Sequence, residues 1–597
     1  MPGKRRAAVG RRRFIRLAGG TVAGGAVVGG GAFTAMATGV FDDPVTDPYA
    51  RMPRSLALSL PGGPGADPGV PLPPLPDPLN EGTASIPDTP PRIPYSENMP
   101  NSRAGVDVPT TLPFEFKTSG FKIVSDLPES LRPWRNRPTS WANVTPPVTD
   151  KYHLNAQGVY MYYKPVGTST KPGPVGYDHP VGQIQFGLGC ISSYRTEKDA
   201  TKKALFLKRA KDQANRLITK RVVTRGAWYF PYPWDYTHTE HGGVSYKAPW
   251  YSGMSQGEAI SLFAQLAGLD GITEQERTLY TNAANGAFAS LLRGDNGYPW
   301  VVNKDKAGYL WIQEYPFKSP GTGDYTYNGM VFAMFGLWDY YLLTGNELAA
   351  KLYDGACTTM TRYFSLLRNP RWFSFYCQTH RIPATTYHHH HITLWTQLHW
   401  HTNSPVFANQ LDALIDDFPS PVLPAGAKIA IGSGTHTLYT IDAAADGSYY
   451  HDKKTGKGQD KILSSKKVNF ARATQAPVNQ RRRIKGAGIW YRISEGAYKG
   501  MWIGEAWPNV FLRGEYVVTT YRIPRTLTVA ANAAVTAYKF GADGVTGTTM
   551  PLGSGSEQSF TFDRRAVVNG RAMCRISAGA MAGHWVPANQ VITDGRV

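Results

Sequence analysis

Between residues 254 and 268 the apolar side chains Ile260, Phe263, Ala264 and Ala267 follow the i, i+3, i+4, i+7 spacing of one helix face. The residues just before them, Ala248-Pro249-Trp250-Tyr251-Ser252-Gly253, read as a loop, and Gly268 reads as a helix stop. Tyr251, Ser252, Gln256 and Glu258 cluster where loop meets helix. This predicts polar groups at a helix mouth and an apolar face fixed in a core, with Glu258 on a solvated flank. The same period predicts helices at about 197–219, 273–292, 326–344, 346–367, 389–401 and 404–418. Thr273 and Glu276 have the spacing of a capping box for the second of these. Several links are short, as between antiparallel neighbours. The longer ones, 222–253, 293–325 and 369–388, are rich in Tyr, Trp, Pro and Gly, and long loops in a compact domain are usually functional. Helix pairs with aromatic loops over one end predict an (α/α) toroid spanning 196–420.

A period of two appears on either side. In a lead-in over 106–195, Val159–Tyr163 and Gln183–Gly187 read as short β pieces. Beyond residue 420 the chain turns to β, and it repeats itself. Arg492-Ile493-Ser494-Glu495-Gly496-Ala497 and its continuation to Ile503 match Arg575-Ile576-Ser577-Ala578-Gly579-Ala580 and its continuation to Val586. Two modules of one kind follow, 421–510 and 511–597, as SH3-like barrels or sandwiches. The chain is therefore multidomain: a helical toroid followed by small β modules.

Charge changes the picture at both ends. The net charge is +20, and residues 1–37 carry +7 of it with no acid. Arg11-Arg12-Arg13-Phe14-Ile15-Arg16, a Gly-rich apolar run and Ala35-Met36-Ala37 read as a twin-arginine export signal with its cleavage site. An uncleaved membrane anchor is the alternative. Residues 38–105 are Pro-rich and read as a disordered spacer. Residues 421–597 hold 23 Lys and Arg against 11 Asp and Glu. That excess predicts contact between the modules and an acidic polymer or the cell wall, unless the charge is simply solvated. The four Cys are scattered with no C-x-x-C, which excludes zinc ribbons and leaves room for one disulfide. The 33 Tyr and 15 Trp suit either sugar stacking or a Tyr-rich core.

The candidate chemistry lies in the helical part. Trp250-Tyr251-Ser252-Gly253-Met254-Ser255-Gln256-Gly257-Glu258 is followed by Glu314-Tyr315-Pro316, then by Asn328-Gly329-Met330, then by Tyr376 with His380. Tyr387-His388 with His391-Ile392 and Ser404-Pro405-Val406-Phe407 complete the series. Over about 180–418 these blocks resemble the C-terminal domain of the D-glucuronyl C5-epimerase family. The resemblance implies conversion of glucuronate to iduronate in an acidic polysaccharide, without cofactor or nucleic acid, in an enzyme that is often a homodimer. It implies catalytic roles for Tyr315, Tyr376, Tyr387 and Glu314. Trp250, Tyr251, Gln256, Asn328, His380, Arg381, His388 and His391 are the expected substrate-binding residues. Two positions depart from the family pattern: Cys377 stands where it has Asp, and Thr379 where it has Arg. Arg381 and the nearby histidines are candidate replacements for that cation.

The residue types suit the reaction on their own terms. Inverting C5 of a hexuronate removes a weakly acidic proton and returns one from the other face. Tyrosines can do both if their surroundings tune them, and the substrate carboxylate must be neutralised. Which tyrosine is base and which is acid stays open. The run His388–His391 offers only two histidines that could converge, at i and i+3, and no carboxylate stands at a matching spacing, so no metal is expected. Three rivals stand beside the epimerase. A polysaccharide lyase would use the same proton abstraction. A glycoside hydrolase would need two carboxylates ~5–10 Å apart, to be drawn from Glu258, Glu314, Asp324 and Asp339. A non-catalytic wall-binding protein is the third.

Overall fold

In a computed structural model the described residues lie between 106 and 593. Outside the description are 1–105, 107, 136–151, 165–172, 239–243, 318, 320, 384, 420, 422, 443–460, 485–486, 542–543 and 594–597. The expected export signal and Pro-rich spacer both fall there. Among the described residues no helix is long and apolar enough to cross a membrane.

A three-stranded antiparallel sheet opens the body: β1 (Tyr152–Leu154), β2 (Tyr160–Tyr163) and β3 (Gly176–Asp178). The helices are α1 (Pro180–Thr196), α2 (Ala200–Lys220), α3 (Gly253–Ala267), α4 (Glu274–Leu291), α5 (Tyr327–Thr344), α6 (Glu347–Arg362), the one-turn α7 (Phe364–Leu367), α8 (Thr385–Thr402) and α9 (Pro405–Asp417). Helices α1, α3, α5 and α8 pack in succession, and each also packs against the helix that follows it in sequence. Between them run three two-stranded ribbons: β4 (Val222–Thr224) with β5 (Ala227–Tyr229), β6 (Tyr236–His238) with β7 (Val244–Tyr246), and β8 (Val302–Lys304) with β9 (Leu310–Ile312).

The helix α1 corrects one expectation. Gln183–Gly187 was read as a β piece because polar and apolar residues alternate there. Yet Ile184, Leu188 and Ile191, on the helical period, are fully buried. The start signal is unusual. His179 caps the helix, its Nδ1 accepting from the Gly182 N–H at 2.9 Å, with Pro180 in the first turn. The helical body therefore begins at Pro180. The capping box of α4 is present: Thr273 Oγ1 accepts from Glu276 N–H, and Glu276 accepts from Thr273 N–H.

Helix α3 differs from its amphipathic reading. Every residue from Gly253 to Ala267 is buried, Gln256 and Glu258 included. Glu258 accepts from Gln185 Nε2 at 2.8 Å and has no solvated flank. Helix α3 lies at the centre, pressed against α5 through two glycines. A Cβ on Gly257 would sit 2.3 Å from Ala333 Cα, and one on Gly336 would sit 1.9 Å from the Gly257 carbonyl. No side chain fits at that crossing.

The C-terminal region is two seven-stranded antiparallel sheets. The first comprises β10 (Lys428–Ile431), β11 (Gly434–Asp442), β12 (Lys461–Phe470), β13 (Thr474–Ile484), β14 (Gly488–Ile493), β15 (Trp502–Gly504) and β16 (Val510–Leu512). The second comprises β17 (Glu515–Val529), β18 (Val535–Phe540), β19 (Thr546–Leu552), β20 (Gln558–Val568), β21 (Arg571–Ile576), β22 (Trp585–Pro587) and β23 (Ile592–Thr593). Their strand orders, β12-β11-β15-β14-β13-β10-β16 and β19-β18-β22-β21-β20-β17-β23, are the same order shifted by one module. The repeated segment is β14 with β15 in one and β21 with β22 in the other. The first module shares a continuous apolar core with the helices, and Ala408 of α9 packs into the core of the second.

Five of the modules' arginines lie below their surface. Arg481, Arg482, Arg483, Arg525 and Arg565 are buried. Arg565 meets Asp416 of α9 at 2.7 Å, Arg483 donates to the Asp416 carbonyl at 2.6 Å, and Arg525 donates to Asn409. Asp412 of α9 accepts from Thr519 at 2.7 Å and from Tyr521. Arg483, Arg525 and Arg565 thus join the modules to α9. All four cysteines are buried, unpaired thiols, so the disulfide is absent.

Candidate functional site

The loops over the helices bring their aromatic residues together. Trp250, in the loop before α3, stacks on Tyr232 with ring centroids 3.8 Å apart, and its indole N–H donates to the Trp234 carbonyl at 2.9 Å. Tyr236 and Tyr246, paired across the β6–β7 ribbon, continue this wall. Tyr315 sits against it, 5.5 Å from the Tyr246 ring and 6.1 Å from that of Trp250. His238, at the end of β6, lies edge-on to Tyr315 at 4.7 Å and against Tyr376 at 5.3 Å. Tyr387, in the first turn of α8, packs edge-on to Tyr376 at 4.5 Å. The three tyrosines expected to be catalytic thus meet in one cluster although they come from separate segments.

Glu314 lies beneath them. It accepts hydrogen bonds from the Tyr315 and Tyr376 hydroxyls and from the Gly329 N–H. Asn328 Nδ2 donates to its Oε2 at 3.4 Å. Gly329 is required here, because a Cβ at that position would lie 2.2 Å from Glu314 Oε2. The carboxylate is thereby seated on the first turn of α5, whose N–H groups favour an anion. Burial outweighs that help. It pushes the Glu314 carboxyl up to about 8, with Asp324 pushing the same way, so Glu314 is mostly a neutral acid at pH 7. Burial and the adjacent Glu314 hold Tyr315 and Tyr376 well above the ordinary phenol value of 10.0.

Asp324 is the second buried acid, raised to about 6 by burial and partly offset by Tyr246, His380 and His238. The Tyr246 hydroxyl donates to it at 2.6 Å, and His380 Nδ1 stands 3.6 Å from its other oxygen. The next residue, Tyr325, takes a left-handed backbone with φ 52, rare for a bulky side chain. Its N–H is held by Gln313 Oε1 at 3.0 Å.

Several expected substrate contacts lie elsewhere. Gln256 is an interior residue with its amide fully used: it donates to the Trp228 carbonyl and Ser290 and accepts from the Phe230 N–H. Tyr251 is buried in a different aromatic group, edge-on to Tyr229 and Tyr298. His388 and His391 do converge, but on Ser374 in the interior. His388 accepts from the Ser374 N–H and donates to the Phe418 carbonyl, which makes it a neutral packing residue. Burial lowers His391 to about 3. Arg381 is exposed, its guanidinium 4.9 Å over the Phe375 ring. Thr379, in the place of the family's Arg, donates to the Gly323 and Asp324 carbonyls. Of the four acids considered for hydrolysis, Glu314 and Asp324 share the cluster, whereas Asp339 is held by Arg135 at 2.7 Å. The sequence reading missed Tyr236, His238 and Tyr246. Their only signal was a Tyr- and His-rich loop.

Residues 224–414 match the family model described as D-glucuronyl C5-epimerase C-terminus, about a third of the chain. That stretch holds every residue of the cluster. The helical body thus carries a domain of the carbohydrate-epimerase class, and the family it matches is the D-glucuronyl C5-epimerases. Among curated proteins no match is found. Among solved structures, a family 76 glycoside hydrolase from a bovine Bacteroides thetaiotaomicron strain is similar over 41% of this chain and 44% of its own, at 10% identity and a TM-score of 0.25. This chain spans less than half of that structure, and the likeness is too slight to bear on fold or function.

Proposed function

We propose that the helical domain is an (α/α) toroid that epimerises C5 of hexuronate residues, glucuronate to iduronate, in an acidic polysaccharide outside the cytoplasm. The observation that carries this is the meeting of Tyr315, Tyr376 and Tyr387 over Glu314, inside the matched segment. In this reading one phenol, as phenolate, takes the C5 proton. The electron pair delocalises into the substrate carboxylate, and a second phenol returns a proton to the opposite face. No bond to the neighbouring sugar breaks. Glu314 serves as the proton store. Its ionised form, the minor one at pH 7, takes the proton of one tyrosine to leave the phenolate, and the acid so formed reprotonates the second tyrosine after that one has given its proton to C5. The twin-arginine segment supports export, and the exposed bases of the modules support contact with the polymer.

The test is incubation of the full chain with glucuronan or heparosan, read by proton NMR. Iduronate signals with unchanged chain length support the proposal. New 4,5-unsaturated ends mean a lyase instead, and new reducing ends without unsaturation mean a hydrolase. Polymer binding with no conversion on any uronan would leave a binding protein.

A further inference from the structure

The reaction read for this site has a requirement that the tyrosines do not meet. A proton beside a carboxylate is lost only if that carboxylate's charge is offset; otherwise two negative charges build side by side. The acids at the cluster are Glu314 and Asp324, and the basic ring touching both Tyr315 and Tyr376 is His238. Asp324 is fully buried and interacts with His238 and His380 together. His380 is partly open, its side chain 14% exposed. Thr379 pins the backbone of Asp324 through its two hydrogen bonds to the Gly323 and Asp324 carbonyls, at 3.4 and 3.3 Å. Tyr246 fixes the carboxylate from the other side at 2.6 Å. Two imidazoles thus share one immobilised anion beside the phenols. Arg381, the nearest arginine in sequence, points outward onto Phe375.

We propose that His238, packed on Tyr315 and Tyr376, and His380, beside the buried Asp324, form the carboxylate-binding element for the uronate. The two histidines contact the substrate carboxylate. Asp324 is a positioning residue that acts through them. The purpose of the element rests on the epimerase reading, but its test is a binding measurement that does not.

The full chain is titrated calorimetrically with a glucuronan oligosaccharide and with the same oligosaccharide after carboxyl reduction to glucose. The proposal expects the wild type to prefer the uronate by about tenfold or more, the worth of one charge-assisted hydrogen bond. His238→Gln and Asp324→Asn should erase most of that preference while affinity for the neutral oligosaccharide stays within about twofold. His380→Gln, at the most open member, should lower it by a smaller factor and guards against misfolding of the buried variants. A full uronate preference in His238→Gln and His380→Gln overturns the proposal, as does a wild type with no preference. C5 deuterium uptake in the same samples separates the two claims. Preference without uptake in the wild type sinks the epimerase reading and keeps this element, and uptake without preference does the reverse.

Discussion

Two buried polar networks lie in this molecule, one where α9 meets the β modules and one at the tyrosine cluster, and they are built in opposite ways. Where α9 meets the β modules, acids and arginines neutralise one another. Asp416 pairs with Arg565 at 2.7 Å, Asp417 takes Arg368 in a two-pronged bond at 2.6 and 3.0 Å, and Asp412 lies within 4 Å of both Arg525 and Arg565. At the tyrosine cluster, Glu314 and Asp324 are surrounded by phenols, an amide and imidazoles, with Glu314 raised to about 8 and Asp324 to about 6. The first network spends its charge on holding parts together. The second keeps carboxyls near their titration points, which costs stability and makes proton exchange with a neighbour cheap.

The sharpest way to separate the networks is to remove a hydroxyl from the second. Tyr315→Phe and Tyr376→Phe should each lower C5 exchange by about 10²–10⁴-fold, the usual worth of general acid–base catalysis. Urea unfolding should change by only ~1 kcal/mol. The converse change is Asp412→Ala. It takes a carboxylate away from Arg525, from one side of Arg565 and from the Thr519 and Tyr521 hydroxyls, and should destabilise the protein by about 3–5 kcal/mol in urea. C5 exchange per folded molecule should be unchanged.

A third prediction concerns pH. The Glu314 carboxyl rises from an ordinary 4.5 to about 8 on folding. The folded state binds the proton more tightly. Its stability contribution is complete below about pH 4.5 and is lost as pH rises to about 8. Glu314→Gln should remove that loss and exceed the wild type in stability at pH 8 by on the order of 4 kcal/mol, with near equality at pH 4.5. Denaturation at the two pH values checks it. The smallest effect is expected from Arg381→Ala, within ~0.5 kcal/mol of wild-type stability, because the side chain is exposed on Phe375.

The same contrast explains what could be read from the sequence. Helices α2 to α6, α8 and α9 are legible from apolar residues at helical spacing, with the one-turn α7 merged into α6, because those residues meet a core. Helix α1 escaped, since Gln183-Ile184-Gln185-Phe186 alternates as a strand would and its cap is a histidine. The repeated segments were plain, and their partners in the sheets follow the same order. Gln256 misled because an amide at a helix mouth looks like a ligand contact. Its three partners lie 26 to 34 residues away, and only folding shows that they use it up. A charge count does not distinguish an exposed arginine from Arg565 under Asp416, and only folding shows which of the modules' arginines are buried. Tyr315, Tyr376 and Tyr387 were legible only through the family resemblance. His238, Tyr236 and Tyr246 stand on three-residue strands, too short for any period to mark.

The central claim is that Glu314 and its two phenols move the C5 proton without cutting the chain. It is met most directly by deuterium uptake at C5 of a glucuronate polymer in D2O, followed by NMR for the wild type, Tyr315→Phe and Tyr376→Phe. The account predicts uptake by the wild type at constant chain length and its loss in both variants. Undiminished uptake in either variant, or none in the wild type on any uronan, would contradict it.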